Sequence, residues 1–352
     1  MEKALQPPPH GQADLACPGR PSGWTARRAW GILTPSVKDC PHASTAFFPH
    51  TAINGVDVSG LTLQEAQSRL LFPAAGLDAR AQARLAAVAL TPACLGGEQA
   101  GFVDLPARRL RMAGGEFCVN ASRAAGALLA LTEAAAQRVD VPSQSTPVPQ
   151  TASVLVDRLD EFHVSGWPAP LHLHIRGASP LWQVEARLPL PPCPLEDAAP
   201  GVCLTRLPGI SHLLLDETLH PLPQDCHTEA AALRRRYGLD AEAAAGVVWW
   251  RRTPTALRMT PLVHVRDAGT TFLESACGSG ALALALHLSR RGKERIFDLA
   301  QPGGSVLRVR LCTEQDAAAP GTNPWTGPWA GVDGPVALTA QGVAWLEDAS
   351  QP

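Results

Sequence analysis

Two segments of the sequence place a cysteine at the start of a long run of small and apolar residues. They read GGEFCVNASRAAGALLA around Cys118 and LESACGSGALALALHL around Cys277, about one domain length apart. Runs this rich in Ala and Leu favour helices, and strand-like apolar stretches precede both of them. The repetition predicts a duplicated unit of strands, cysteine and helix, although two unrelated buried cysteines at strand–helix turns would give the same pattern.

The composition limits the kinds of protein that the chain can form. Its 352 residues are 45% hydrophobic and 18% charged, which is typical of a globular protein of about two domains. The net charge of −2 offers no broad basic surface for nucleic acid. The longest purely apolar runs, of which Ala281–Leu286 is one, are far too short to span a membrane. The Pro-rich start contains no secretory signal, so we expect a cytoplasmic protein.

Cysteine and histidine spacing gives no sign of a metal site. The nine cysteines include no C-x-x-C pair, so most should be free thiols in a reducing compartment. His172 and His174 share one strand face, and Cys193, Cys203 and Cys226–His227 are further ligand types at irregular spacing. We interpret the two histidines as ordinary strand residues and expect neither a metal nor a cofactor.

The chain divides at segments of low apolar content. Residues 1–29 predict a disordered leader, and the Pro-rich stretch 141–151 predicts a linker. We therefore expect an N-terminal lobe over 30–150, a C-terminal lobe over 151–312, and a loop and final strand over 313–352 that return to the N-terminal lobe. Within the first lobe, the sequence TLQEAQSRLL predicts a helix over Thr62–Leu71.

A cysteine in the first turn of a helix is well placed for acid/base chemistry. The positive end of the helix dipole favours its thiolate, and the first-turn amides lack intrahelical partners and can bind a carboxylate. Two such units facing one another would hold an amino acid between two sulfurs. One sulfur could then remove the α-proton while the other delivers a proton to the opposite face, which is the geometry of a two-base racemase.

These motifs resemble a known family. RMAGGEFCVNASRAAG (111–126) and FLESACGSGALALAL (272–286) are similar to the paired cysteine motifs of diaminopimelate epimerase and its cofactor-independent relatives, above all the histidine racemases of opine-metallophore biosynthesis. The resemblance covers roughly residues 30–346. It implies an α/β (α+β) fold of two pseudo-symmetric lobes, each a curved, mostly antiparallel sheet or barrel around a central helix. The active site would lie in the cleft, with no metal or pyridoxal phosphate.

The resemblance also implies roles for particular residues. Cys118 and Cys277 would be the two acid/base groups. His212, in LPGISHLLLDE, corresponds to a histidine of the family's second half, although a satisfied core histidine fits the same pattern. The residues that would bind the substrate are Asn120, Gly278, Ser279 and Gly280 at the helix starts, and Glu274 and His212 beside them.

The sequence departs from the family pattern at two places. Val119 stands where the family has Gly after the first cysteine, and a β-branched residue there could crowd the carboxylate pocket. His42-Ala43 stands where the family has Gly-Asn in the first strand. The resemblance implies a cofactor-independent two-cysteine amino-acid racemase or epimerase, in the first place a histidine racemase that supplies opine-type metallophore biosynthesis. The departures leave as alternatives a diaminopimelate epimerase or a proline-type racemase or isomerase of the same fold, and a non-catalytic amino-acid-binding homologue. We expect a small-molecule amino-acid substrate as the partner, and neither nucleic acid nor a membrane, with a homodimer as an open alternative to a monomer.

Overall fold

The computed structural model describes residues 52–53, 56–62, 68–74, 76–91, 95, 97–139, 155–313 and 327–342. The predicted leader 1–29, the predicted linker 141–151 and the departure at His42-Ala43 lie outside the described residues. Among the residues that are described, no helix is long and apolar enough to cross a membrane.

The described part of the chain is mostly strand. The strands of its first half are β1 (Ala52–Ile53), β2 (Val56–Thr62), β3 (Ser68–Pro73), β4 (Gln99–Asp104), β5 (Arg109–Met112), β6 (Val156–Val164), β7 (Leu171–Ala178) and β8 (Leu181–Pro189). The later strands are β9 (Leu195–Ala199), β10 (Val202–Leu207), β11 (Ile210–Asp216), β12 (Ala244–Arg252), β13 (Leu257–Val265), β14 (Thr270–Leu273), β15 (Ile296–Ala300), β16 (Val306–Cys312) and β17 (Trp329–Gly342). The helices are α1 (Ala79–Ala89), α2 (Val119–Val139), α3 (Cys226–Arg236) and α4 (Gly278–Ser289).

One group of strands closes into a ring around α2. Strands β2 to β8 pair in sequence order, and β17 pairs with both β8 and β2. Helix α2 contacts most strands of the ring, and every residue of its first three turns, from Val119 to Ala130, is buried. A helix buried on every side needs small or apolar residues all round, which explains the Ala-rich sequence after Cys118.

A second sheet curls around α4. It runs through β9, β10, β11, β12, β13, β15, β16 and β17, with β14 added beside β13. Residues Gly278–Ala285 of α4 are all buried within it. The segment Trp329–Asp333 of β17 pairs with β8 on one edge and β16 on the other, so the same strand belongs to both sheets.

The predicted helix over Thr62–Leu71 is wrong where the structure describes it. Strand β2 ends at Thr62 and β3 begins at Ser68, paired with β2 and β4. Both faces of β3 are covered, because Leu71 packs into the core around α2 while Leu70 and Phe72 pack into a separate cluster with α1. A strand buried on both faces loses the alternating pattern and can resemble a buried helix in sequence.

The α+β expectation is confirmed at the level of a mostly sheet fold with curled sheets and few helices. Both cysteine-led runs form helices, α2 and α4, as predicted. The pseudo-symmetry of two lobes and the domain limits remain predictions.

Candidate active site

Cys118 lies immediately before α2. Its Sγ atom accepts a hydrogen bond from the backbone N–H of Ala121, at 3.4 Å, and its thiol donates to Oε1 of Gln99, at 2.9 Å. The turn that leads into this position requires Gly115, whose φ of +75° is in the left-handed region. The sulfur therefore caps one of the first-turn amides that lack an intrahelical partner.

Cys277 occupies the corresponding position at α4. It is the N-cap residue, with extended backbone, and its Sγ atom accepts from the N–H of Gly280 at 3.3 Å. Its own N–H donates to Oε1 of Gln301 at 3.0 Å, which ties the start of α4 to the turn between β15 and β16. Each cysteine thus caps the amide three residues further along its helix.

The two helix starts contact one another. A Cβ atom placed on Gly278 would lie 2.8 Å from Cβ of Val119, so the backbone of α4 comes directly against the first residue of α2. The Asn120 side chain donates to the carbonyl of Ala276 at 3.1 Å, and its Oδ1 accepts from Nη1 of Arg123 at 3.1 Å. Asn120 therefore links the first turn of α2 to the segment that carries Cys277.

A small cavity lies where the helix starts meet. Its volume is about 10 Å³, near the minimum that one water molecule needs. Of the eight predicted site residues, six line it, whereas Gly280 and His212 do not. The six are Cys118, Asn120, Glu274, Cys277, Gly278 and Ser279.

A buried guanidinium, absent from the sequence prediction, also lines the cavity. Arg69 on β3 is 1% exposed, and its Nε donates to Sγ of Cys118 at 3.5 Å. Its Nη1 lies 3.3 Å from a carboxylate oxygen of Glu98, and its Nη2 lies 3.2 Å from Oε1 of Glu274. One cation therefore contacts a thiol from the first half of the chain and a carboxylate from the second.

Burial disfavours ionisation of both sulfurs. It raises the pKa of Cys118; the charge of Arg69 opposes that rise, and the carboxylate of Glu274 adds to it. Burial raises the pKa of Cys277 well above its usual value, and the nearby carboxylate of Glu274 raises it further. The thiolate character expected from the helix dipole is thus opposed by desolvation at both cysteines.

His212 contacts the site through a hydroxyl. It is fully buried on β11, its Nε2 lies 3.0 Å from Oγ of Ser279, and that hydroxyl lies 3.5 Å from Sγ of Cys277. Burial lowers the pKa of His212 to about 3, so the imidazole is neutral near pH 7. Its ring packs against Gly246, where a Cβ atom would collide with Nδ1.

Glu116, two residues before Cys118, is a second ionisable group that the sequence reasoning missed. It is 2% exposed, and its Oε2 has no hydrogen-bond partner among the described residues. Burial raises its pKa to about 7, against the opposing charges of Arg69 and Arg111. The GGEFC motif contains Glu116, but nothing in a single sequence shows that its carboxyl is buried.

The described residues hold one cluster of metal-ligating side chains away from this cavity. Ligand atoms of Asp197, Cys203 and His287 lie within 4.8 Å of one another, near the far end of α4. The guanidinium of Arg290 lies 3.4 Å from the Asp197 carboxylate, and that of Arg291 lies 3.7 Å from it. We assign no metal to this cluster because the two arginines already neutralise its exposed carboxylate.

Comparisons with known proteins agree with the motifs. The family model for the histidine racemase CntK N-terminal domain matches residues 74–344. A histidine racemase of Fusobacterium nucleatum ATCC 25586 is 25% identical over 256 residues, covering 71% of this chain and 81% of that protein. The histidine racemase of strain ATCC 23726 is 24% identical, covering 71% of this chain and 82% of that protein.

Two solved structures of similar fold have low sequence identity. A predicted epimerase from Pseudomonas aeruginosa is 14% identical with a TM-score of 0.49, and a phenazine biosynthesis PhzC/PhzF protein from Clostridium difficile is 11% identical with a TM-score of 0.48. Each alignment covers 82% of this chain and 98% of the other.

The family-model match, together with the curated relatives, defines the class of the protein: it is an isomerase that acts as a racemase. The chain belongs to the histidine racemase family. A small-molecule substrate follows from that membership.

Proposed function

We propose that this protein racemises histidine without a cofactor, using Cys118 and Cys277 as its two acid/base groups. The observation that carries the proposal is that each cysteine caps a helix, and that the two helices begin at one cavity. A thiolate on one side accepts the α-proton, and a thiol on the other side donates a proton to the opposite face. The two sulfurs exchange protonation states in each turnover, so atoms and charge balance.

Binding of the substrate carboxylate is proposed at the helix starts. Asn120, Gly278 and Ser279 lie at the starts of α2 and α4, and the amides of a helix's first turn point towards the space beyond its N-terminus. The positive ends of two helix dipoles converge there, which favours an anion. Gly280 would act indirectly, because its N–H already bonds to the Cys277 sulfur. The carboxylate of Glu274, at the same cavity, suits a positively charged group of the substrate.

The difficulty of the reaction explains why these groups should be buried. The α-proton of an amino acid is very weakly acidic, and a thiolate in water is a poor base for it. In a site without bulk water, helix-end amides that bind the carboxylate also stabilise the negative charge that develops on it as the proton leaves. The burial of both cysteines therefore supports catalysis even though it raises their pKa values.

The size of the cavity requires a movement. Histidine is far larger than one water molecule, and the space at the helix starts holds about one. We propose that the start of α4 separates from the start of α2 when substrate enters, and closes again for the reaction. The contact between Val119 and Gly278 would open in that step.

The direct test combines two assays on L- and D-histidine. Wild-type protein should incorporate deuterium at Cα in heavy water and should yield both enantiomers on chiral chromatography. Cys118→Ser and Cys277→Ser should each lower kcat by about 100-fold or more, because an alcohol is a far weaker acid/base group than a thiol at neutral pH. Cys193→Ser is the matched control, since Cys193 is a half-buried free thiol that does not line the cavity. Full racemisation by either active-site variant would contradict the proposal.

The biological context is proposed on the same basis. D-Histidine for an opine-type metallophore is the expected use of the product, with diaminopimelate and proline as the competing substrates to assay. A cytoplasmic location and a homodimer are further expectations, to be checked by fractionation of the producing cell and by sedimentation of the purified chain.

A further inference from the structure

The two sulfurs have the same relationship to their helices. Sγ of Cys118 is 3.4 Å from the amide nitrogen three residues ahead, and Sγ of Cys277 is 3.3 Å from its counterpart. The two helix starts therefore contribute almost equally to the ionisation of their cysteines. Any difference between the sulfurs must come from the side chains around them.

The two sulfurs differ in that a cation contacts Cys118. Cys118 contacts the guanidinium of Arg69, which stays protonated in proteins, and it also feels the buried charge of Arg123. The polar side chains that act on Cys277 are the neutral hydroxyl of Ser279, at 3.5 Å, and the carboxyl of Glu274, which also acts on Cys118. Because all these groups are buried, the interactions are weakly screened and stronger than they would be at the surface.

We propose that Arg69 makes Cys118 the sulfur that ionises first, so that a site holding a single thiolate carries it on Cys118 and keeps the thiol on Cys277. The proposal rests on the two-cysteine function for its catalytic meaning. The directions of the pKa shifts agree with it, since burial and Glu274 raise the pKa of both cysteines, while Arg69 opposes that rise at Cys118.

The setting of Arg69 explains how the charge is kept in place. Glu98 holds one end of the guanidinium and Glu274 holds another, which leaves Nε directed at Sγ of Cys118. Gln99 completes the arrangement, because its Oε1 accepts the thiol proton at 2.9 Å. When that proton leaves, rotation of the Gln99 amide would present an N–H donor to the thiolate.

This order of ionisation has a consequence for turnover. The singly ionised enzyme would abstract the α-proton only from the enantiomer whose α-proton faces Cys118. The product complex would carry a thiol at Cys118 and a thiolate at Cys277, the less favourable arrangement. A proton must then pass from Cys118 to Cys277, directly or through solvent, before the next substrate of the same hand can react.

The experiment measures the two cysteines within one molecule. Full-length protein is alkylated with iodoacetamide over a range of pH, and peptide mapping gives the rate at Cys118 and at Cys277 separately. The pH midpoint at Cys118 should lie at least about one unit below that at Cys277, a tenfold difference in thiolate fraction at the same pH. Using midpoints removes the effect of unequal access to the two buried sulfurs.

Variants of Arg69 identify the cause. Arg69→Gln should raise the Cys118 midpoint by about one unit or more while changing the Cys277 midpoint less, and Arg69→Lys should restore part of the difference. Arg111→Gln is the matched control, because Arg111 lies on nearby β5 and bonds to Gln82 instead of the thiol. If Arg69→Gln fails to fold by circular dichroism, Glu274→Gln serves instead. Because Glu274 raises the pKa of both cysteines, this variant should lower both midpoints, and Cys118 should keep the lower one because Arg69 remains; a reversed order would overturn the inference.

Several outcomes would overturn the inference. They are a Cys277 midpoint at or below that of Cys118 in the wild type, an unchanged Cys118 midpoint in folded Arg69→Gln, or an equal shift in Arg111→Gln. Because alkylation needs no turnover, its result is independent of the proposed reaction. If alkylation of Cys118 has the lower pH midpoint but Cys118→Ser still racemises histidine fully, the proposed function is rejected and the order of ionisation is retained.

Discussion

Val119 and Gly278 are in direct contact across the starts of α2 and α4. A Cβ atom on Gly278 would lie 2.8 Å from Cβ and 2.9 Å from Cγ1 of Val119, closer than real side chains approach one another. Only glycine therefore fits at position 278 while Val119 is present. Val119 is larger than the glycine of the family pattern, and Gly278 on the opposite helix leaves room for it because it has no side chain.

The first prediction concerns this contact. Gly278→Ala should force the helix starts apart and destabilise the fold by about 1–3 kcal/mol, as overpacking does in other cores. It should also reduce kcat/KM, because both helix starts are proposed to hold the substrate. Val119→Gly should relieve the collision, so the double variant should recover part of the stability and of the activity. Urea unfolding and chiral chromatography measure the two effects.

The two single variants and the double variant form a double-mutant cycle, and its control is Gly327→Ala. No atom lies within 4 Å of the position where a Cβ on Gly327 would be, so the substitution should change stability little. The coupling between Val119→Gly and Gly278→Ala should be about 0.5–3 kcal/mol and favourable. Strictly additive effects of the two substitutions would show that the contact has no energetic role.

The second prediction is an acid-sensitive stability that depends on His212. The pKa of His212 is about 3 in the folded state, against 6.5 for an unperturbed histidine. Between those values the unfolded chain binds the proton and the folded chain does not, so the free energy of unfolding falls as pH decreases below 6.5. Unfolding in urea at pH 7.5 and at pH 5 should show a loss of about 2 kcal/mol from this residue.

His212→Gln should lose that part of the pH dependence, since glutamine does not titrate. His163→Gln is the control, because His163 is 58% exposed. If the free energy of unfolding of His212→Gln changed with pH as steeply as that of the wild type, the result would contradict a buried neutral imidazole.

The third prediction is a pH dependence of stability that comes from Glu116 and has the opposite sign. Burial raises the pKa of Glu116 to about 7 from 4.5, so the folded state binds a proton that the unfolded state releases between those values. Stability contributed by Glu116 is therefore lost as pH rises through 7. Glu116→Gln should be more stable than the wild type at pH 8 by about 2–3 kcal/mol, with a smaller difference at pH 5, in urea unfolding. Equal effects of the substitution at both pH values would show that Glu116 ionises normally.

The parts of the site that the sequence predicts are those with a local signal. A cysteine before an Ala- and Leu-rich run indicates a helix start, and Cys118 and Cys277 occupy such positions. Strands β7, β8, β11, β12 and β13 likewise follow from short apolar runs. Helix α1 was missed, although Asp78 caps it and its sequence is rich in Ala.

The charged part of the site could not be predicted because it depends on pairing between distant strands. Arg69 reaches Cys118 only because β3 pairs in parallel with β4, which sets Arg69 beside Gln99. Residues 68–71 were interpreted as helix, so the side chain of Arg69 had no predicted neighbours. Its contact with Glu274 joins residues from the two halves of the chain, a relationship with no trace in a single sequence.

The last prediction is that oxidation inactivates the protein reversibly. Cys118 and Cys277 are both free thiols, and both line the same small cavity. A disulfide between them would bring the sulfurs to about 2.05 Å, consume both acid/base groups and leave no space for an α-carbon. Treatment with a mild oxidant should therefore abolish racemisation, and a thiol reductant should restore it. Peptide mapping without reduction should show the Cys118–Cys277 peptide in the inactive sample, and Cys193→Ser should behave like the wild type. Undiminished racemisation by protein in which the two cysteines are fully bridged would rule out their joint role in proton transfer.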